Sequence, residues 1–268
     1  MDYRLSPAKA AWLLLLPGVC SSSVHASGFA LIEQSASGTG NAFAGAAAAP
    51  EDAATVYFNP AGMMALPRGR QLSVAGHYIN PSARFQNGSS TGATLFGAPS
   101  TNTTTVDGGV NAIVPNAYFV TEWRDFRAGI GINSPFGLST SYPSDWLGRF
   151  QGVRSELMTI NVNPALAWQA NDRLALGAGL NYQRLDAEFT SKSNYAAALF
   201  NGVIAGGGTV AAATAAAAGI AAAGQAEGTT TLKGKDGGWG WNAGLQWKAG
   251  EHTMVGVTYR SRVKLSLI

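Results

Sequence analysis

From Met158 the even positions read Met158, Ile160, Val162, Pro164, Leu166 and Trp168, and the odd positions between them carry Thr159, Asn161, Asn163, Ala165, Ala167 and Gln169. Alternation of period 2 over about a dozen residues predicts a β-strand with one apolar and one wet face. Leu174, Leu176, Ala178, Leu180 and Tyr182 repeat it against Ala175, Gly177, Gly179, Asn181 and Gln183. Trp239, Trp241, Ala243, Leu245 and Trp247 do so against Gly240, Asn242, Gly244, Gln246 and Lys248. The same reading along the whole chain predicts strands at about 70–80, 115–124, 126–137, 156–170, 173–190, 239–248 and 252–267.

The connections between these strands run long, short, long, short, long, short. The long ones are 81–114, 138–155 and 191–238; the short ones are the turns at Arg124-Asp125, Asn171-Asp172 and Ala249 to Glu251. A soluble sandwich has no reason to alternate loop length in this way, whereas an outer-membrane barrel keeps periplasmic turns short and extracellular loops long. Trp123, Phe126, Trp168 and Trp247 lie near the short-turn ends, where an interfacial aromatic girdle belongs.

Composition narrows the class further. Charged residues are 12% of the chain, about half the usual share, and there are 34 glycines. The mean hydropathy is only +0.05, and after the first 26 residues no apolar run is long enough for a membrane helix. A transmembrane β-barrel has this mixture because lipid-facing and lumen-facing residues alternate. Residues 1–26 read as a signal peptide: basic Arg4 and Lys9, an apolar core from Ala10 to Leu16, a Pro17-Gly18 break, and Val24-His25-Ala26 before Ser27. Cys20, the only cysteine, follows Pro17-Gly18-Val19, a poor lipidation site, and would leave with the signal. The mature chain then has no disulfide, and its weak net charge gives no sign of nucleic-acid binding. Enzyme chemistry is not legible either. Only His77 and His252 remain, with no catalytic cysteine, zinc-ligand spacing, phosphate-cradling motif or nucleophile elbow, so no catalytic residue, metal site or cofactor is expected.

The most distinctive stretch is Ser27 to Leu66. Its Gly38, Gly40, Gly45 and the Ala46 to Ala49 run suit a compact coil threading a confined space, and Asn59-Pro60-Ala61-Gly62 closes it with turn chemistry. Ser27-Gly28-Phe29, then Ser37-Gly38-Thr39-Gly40-Asn41-Ala42, then Asp52-Ala53-Ala54 leading into Asn59-Pro60-Ala61, closely resembles the plug, or hatch, of the FadL/TodX family. These are outer-membrane transporters of long-chain fatty acids and other hydrophobic compounds. The resemblance continues through Asn133-Ser134-Pro135-Phe136-Gly137-Leu138, Gly238-Trp239-Gly240-Trp241-Asn242-Ala243-Gly244 and Thr258-Tyr259-Arg260-Ser261-Arg262-Val263-Lys264.

The resemblance implies an all-β transmembrane antiparallel barrel with seven of fourteen expected strands. Residues 27–66 would be the hatch, and 67–268 the first half of the barrel. Ser27, Gly28 and Phe29, with Asn59, Pro60 and Ala61, would inherit ligand-binding or gating roles. Asn133, Ser134, Pro135, Phe136 and Gly137 would form a lateral opening through which ligand leaves into the membrane. A simple strand end is the other reading there, since proline cannot donate to a sheet ladder. Residues 195–226 are Ala-rich and read as two short helices or as a low-complexity loop. Leu199 with Val203, and Phe200 with Ile204, stand four apart and would make an apolar face for capturing ligand. Lys192 is a candidate carboxylate partner by position. Arg260, Arg262 and Lys264 alternate toward the lumen as internal ion pairs or as ligand contacts. The expected partners are a hydrophobic small molecule, outer-membrane lipid and the barrel-assembly machinery, with the complete barrel monomeric in the Gram-negative outer membrane. Because the chain stops in the seventh strand, it reads as a truncated product that alone neither inserts stably nor transports. The alternatives are monoaromatic uptake by the same fold, a non-functional fragment, a surface adhesin or a general porin.

Overall fold

In the computed structural model, residues 30–86 and 105–267 are described. The expected signal peptide and Ser27, Gly28 and Phe29 lie outside them. The described chain opens with a compact coil holding α1 (Ala36–Gly40), whose N-cap Ser35 accepts the Gly38 amide at 2.8 Å. Next come α2 (Thr55–Phe58) and a 3-10 turn, Pro60–Ala65. Asn59 caps that turn by accepting the Ala61 amide at 3.1 Å, and Pro60 occupies the first position, where no amide is needed.

The strands follow: β1 (Gln71–Ile79), β2 (Arg84–Gln86), β3 (Thr105–Asp107), β4 (Ala112–Trp123), β5 (Phe126–Asn133), β6 (Gly137–Ser141), β7 (Arg154–Asn171), β8 (Leu174–Asn194), β9 (Glu227–Gly250) and β10 (Thr253–Arg260). The main sheet is antiparallel in the order β1-β4-β5-β7-β8-β9-β10, with β6 also pairing β7, and it curls into a half-barrel. β2 and β3 form a separate hairpin inside the β1–β4 connection. The alternation is realised as read: Met158, Ile160, Leu166 and Trp168 are exposed on the convex face, while Thr159, Asn161, Asn163 and Ala167 are buried on the concave one. The core lies between that concave face and the N-terminal coil, where Val56, Met63 and Leu66 meet Tyr118, Val120, Ala165 and Ala167.

Three strand readings need correction. The strand expected over 239–248 begins at Glu227, and its partner β8 continues to Asn194, so the connection is only 195–226. About 9–11 residues cross a bilayer as a tilted strand; β8 and β9, with 21 and 24 residues, run far past that length. Beyond the apolar band both faces are wet, so no alternation marks Glu227 to Gly237. The strand expected over 126–137 breaks after Asn133, at Pro135, and resumes as β6. The strand expected over 252–267 keeps its ladder only to Arg260. After that one backbone bond remains, Ser261 N–H to Trp241 O at 2.8 Å, and side chains supply the rest: the Ser261 hydroxyl accepts the Trp241 amide, and the Asp236 carboxylate accepts the Ser266 amide. The Ala-rich stretch forms two helices, α3 (Tyr195–Ala205) and α4 (Val210–Ala222), capped by Asn194 and Thr209.

Candidate functional site

The polar groups of the concave face converge on the N-terminal coil. Asn59, fully buried, donates to the Ala47 carbonyl at 2.6 Å and to the Leu245 carbonyl of β9 at 3.0 Å. Gln246 of β9 donates to Ala48 O at 3.1 Å. Arg127 of β5, also buried, donates through one nitrogen to Met63 O and Leu66 O, both at 2.8 Å. Arg260 of β10 donates to Tyr57 O at 2.7 Å, lies 4.1 Å over the Tyr57 ring and donates to Asn181. Burial pushes the Tyr57 hydroxyl above its ordinary pKa, and the Arg260 charge opposes that rise. Glycines make room where backbone meets backbone: a methyl on Gly177 would overlap the Pro60–Ala61 peptide, and one on Gly256 would overlap Ala47 O. Pro60 and Ala61 are accordingly buried, with Asn59, against β8 and β9.

Beneath this coil runs a ladder of buried amides across β5, β7, β8 and β9. Asn161 donates to Asn133 at 2.9 Å and to Asn181 at 3.4 Å; Asn181 and Asn163 each donate to Asn242 at 3.1 Å. Sequence reading put Asn161, Asn163, Asn181 and Asn242 on the wet face but gave them no role. Their signal was present, because asparagine at inward positions of successive paired strands must find partners when buried.

The ladder ends at a break in the wall. Asn133 pairs Asn161, and Gly137 pairs Met158, so residues 134–136 face only Thr159 and Ile160, a one-residue bulge. The buried Thr159 hydroxyl serves both backbone groups of Phe136, accepting its amide at 3.1 Å and donating to its carbonyl. The carbonyls that the bulge frees on the inner side are met by the N-terminal coil: Leu31 N–H donates to Pro135 O, and Gln34 Nε2 to Ser134 O, both at 3.0 Å. Gln34 Oε1 in turn accepts Asn133 Nδ2 at 2.6 Å. Asn133, Ser134, Pro135 and Phe136 thus share one network with the N-terminal coil. Gln34 and Thr159, which hold it together, were not singled out from sequence.

The other predicted residues lie at the long-loop end. On α3, Phe200 packs with Ala196 against Ala217 and Ala226, while Leu199 and Ile204 are exposed and Val203 is half-buried. Lys192 is not brought to the inner cluster; its Nζ donates to Thr229 at 3.0 Å. Arg149, buried, makes a two-pronged pair with Glu227 at 2.6 and 3.0 Å, tying the β6–β7 connection to the root of β9. The β2–β3 hairpin leans on that connection through Phe85 against Trp146; Tyr142, stacked on Trp146 at 4.2 Å, donates its hydroxyl to Ala83 O at 2.9 Å. Asp107 closes the hairpin, accepting the Gly109 and Ala83 amides at 2.9 Å, the Ser82 hydroxyl and Arg84. These donors, Gly109's amide foremost, hold its carboxyl well below the usual range. Among the described residues no cluster of His, Cys, Asp and Glu could hold a metal. The inner site is built of neutral amides, backbone carbonyls and two arginines, an arrangement suited to fastening a segment rather than to breaking bonds.

A family model described as outer membrane protein transport protein (OMPP1/FadL/TodX) matches residues 18–268. Outer membrane protein P1 of Haemophilus influenzae is 28% identical over 258 residues, covering 92% of this chain and 56% of that protein. The long-chain fatty acid transport protein of Salmonella typhi is 32% identical over 261 residues, covering 94% and 54%. Among solved structures, a Pseudomonas aeruginosa FadL homologue aligns with a TM-score of 0.62 at 22% identity, covering 88% of this chain and 53% of that one. The Pseudomonas putida toluene transporter TodX aligns at 0.50 and 16% identity, covering 82% and 55%. The chain spans about half the length of the curated relatives it matches.

Proposed function

Since the chain belongs to the OMPP1/FadL/TodX family of outer membrane transport proteins, which are not enzymes, we propose that it supplies the hatch and the first seven wall strands of a barrel that admits long-chain fatty acids. In this reading ligand is caught at the outer loops, where Leu199 and Ile204 on α3 offer apolar surface and Lys192 can meet a carboxylate. It then passes to a lumen site closed by residues 27–66, with Ser27, Gly28 and Phe29 at the binding end. It leaves sideways at residues 133–137, down its own gradient. The barrel-assembly machinery and outer-membrane lipid are its other partners.

The observation that carries this reading is the shared network of Leu31, Gln34, Asn133, Ser134 and Pro135. Hydrogen bonds from the coil fill the gap that the bulge leaves in the ladder. Moving the coil would therefore free the backbone groups that line an opening. Fatty acid is favoured over monoaromatic ligand because several relatives of 30–32% identity are named for long-chain fatty acid transport. The test is uptake of labelled oleate by cells lacking their own transporter, using these residues within a complete barrel. Removal of residues 27–66 should abolish the preference for long chains over short ones. Unchanged uptake and selectivity would refute the gating role.

A further inference from the structure

We infer that the convex face of β7, β8 and β9 carries a docking surface for the phosphate groups of the glycolipid that forms the outer leaflet of the outer membrane. The inference rests on the barrel reading above. Register fixes the geometry. On the convex face, successive rows across these strands read Val162, Tyr182, Trp239; then Ile160, Arg184, Gly237; then Met158, Asp186, Lys235; then Glu156, Glu188, Lys233; then Arg154, Thr190, Thr231. The inward partners on β8 confirm the parity, since Leu185 and Ala187 are buried.

The apolar band thus ends at an aromatic rim, in which Tyr182 meets Trp239 at 5.0 Å and Trp241 meets Tyr259 at 5.1 Å. Charge begins on the very next row. At ~3.3 Å per residue on a strand tilted about 45°, Arg184 stands about 5 Å and the Asp186–Lys235 row about 9 Å above Tyr182, spanning the outer part of a headgroup layer about 5–8 Å deep. Outward charge on a strand face in contact with lipid is costly within the apolar band, and belongs where headgroups can meet it.

The cations are available. Lys233 and Lys235 are each 67% exposed, paired to Glu188 at 3.1 Å and Asp186 at 3.0 Å, and Arg184 reaches Asp186 at 3.3 Å. Exposed pairs of this kind are weak, so the acids orient the cations without tying them up. A phosphate offers stronger, charge-assisted hydrogen bonds. Gly237 leaves the ladder position between Arg184 and Lys235 without a side chain, and the Tyr182 hydroxyl leans into that notch. A phosphate there meets two cations and a phenol donor, with its acyl chains lying along Leu180 and Trp241 below.

The test uses the full chain folded in neutral detergent micelles, its β content checked by circular dichroism, and titrated with lipopolysaccharide or its dephosphorylated form. Binding is read by native mass spectrometry. The expected result is retention of lipopolysaccharide, weakened about thirtyfold by K233Q/K235Q at roughly 1 kcal/mol for each of the two surface cations removed. Dephosphorylated lipid should bind comparably weakly. R68Q/R70Q, which removes equal charge at the short-turn end, should bind as the unmodified chain does. Equal binding by K233Q/K235Q, an equal loss in R68Q/R70Q, or no binding by a folded chain would overturn the inference and leave the barrel reading standing. A chain without β structure in micelles would overturn the inference as well, while the barrel reading, which concerns a complete barrel, would still be decided by the uptake test.

Discussion

Asn59 shows how much one side chain can hold. Its amide joins the Ala47 turn, the Pro60 turn and the β9 backbone, and it is sealed from water. Replacement by alanine leaves two acceptors and a buried amide without that partner, and each unsatisfied buried group costs about 1–3 kcal/mol. N59A should therefore lower the urea midpoint and speed protease cleavage between residues 44 and 52, while far-ultraviolet circular dichroism keeps its β signature. A midpoint equal to that of the unmodified chain would mean that water or a neighbour replaces the amide. The turn role of Asn59-Pro60-Ala61 was legible in sequence, because Pro and Asn fix local backbone whatever surrounds them. Its partners were not, since Ala47 and Leu245 offer only carbonyls, which no side-chain pattern announces.

At the scale of elements, legibility followed lipid contact. Strands were readable where one face is apolar, as in β7 from Met158 to Trp168, and unreadable where both faces are wet, as in β9 from Glu227 to Gly237. The break at Pro135 was readable from proline's missing donor; the Thr159 hydroxyl that heals it was not. The β2–β3 hairpin was hidden for the same reason as the start of β9, its three-residue strands being held by Asp107 rather than by a greasy face. This makes the hairpin acid-sensitive. The folded pKa of Asp107 is lowered, so its contribution is fully present above the ordinary carboxylate pKa near 4 and is lost as pH falls through the folded value. Acrylamide quenching of Trp146, isolated by difference against W146F, should rise on acidification as Phe85 lifts away. In D107N the charge is absent throughout, so quenching should be high and flat with pH. A pH-independent unmodified chain would show that the Phe85–Trp146 contact and the Tyr142–Ala83 and Ser141–Gly108 hydrogen bonds hold the hairpin without the Asp107 charge.

On the whole-molecule scale, wall and coil are two structures folded against one interface, and the inner glycines mark where they touch. Gly177 faces the Pro60–Ala61 peptide so closely that a methyl there would overlap backbone, which cannot swing aside as a side chain can. Ala178, one residue along, faces outward and is exposed. The pair G177V and A178V therefore adds similar bulk to opposite sides of one strand. A178V should change stability by no more than about 0.5 kcal/mol, as surface substitutions generally do. G177V should cost about 1–3 kcal/mol by overpacking, and its effect should fall on the coil: faster cleavage of residues 44–52 with the β signature retained. If G177V destroys the β signature as well, coil and wall fold as one cooperative unit. The coil could then not move without opening the wall, and gating would require a displacement smaller than release. If the β signature survives, the wall stands alone and the coil can be displaced, as a hatch requires.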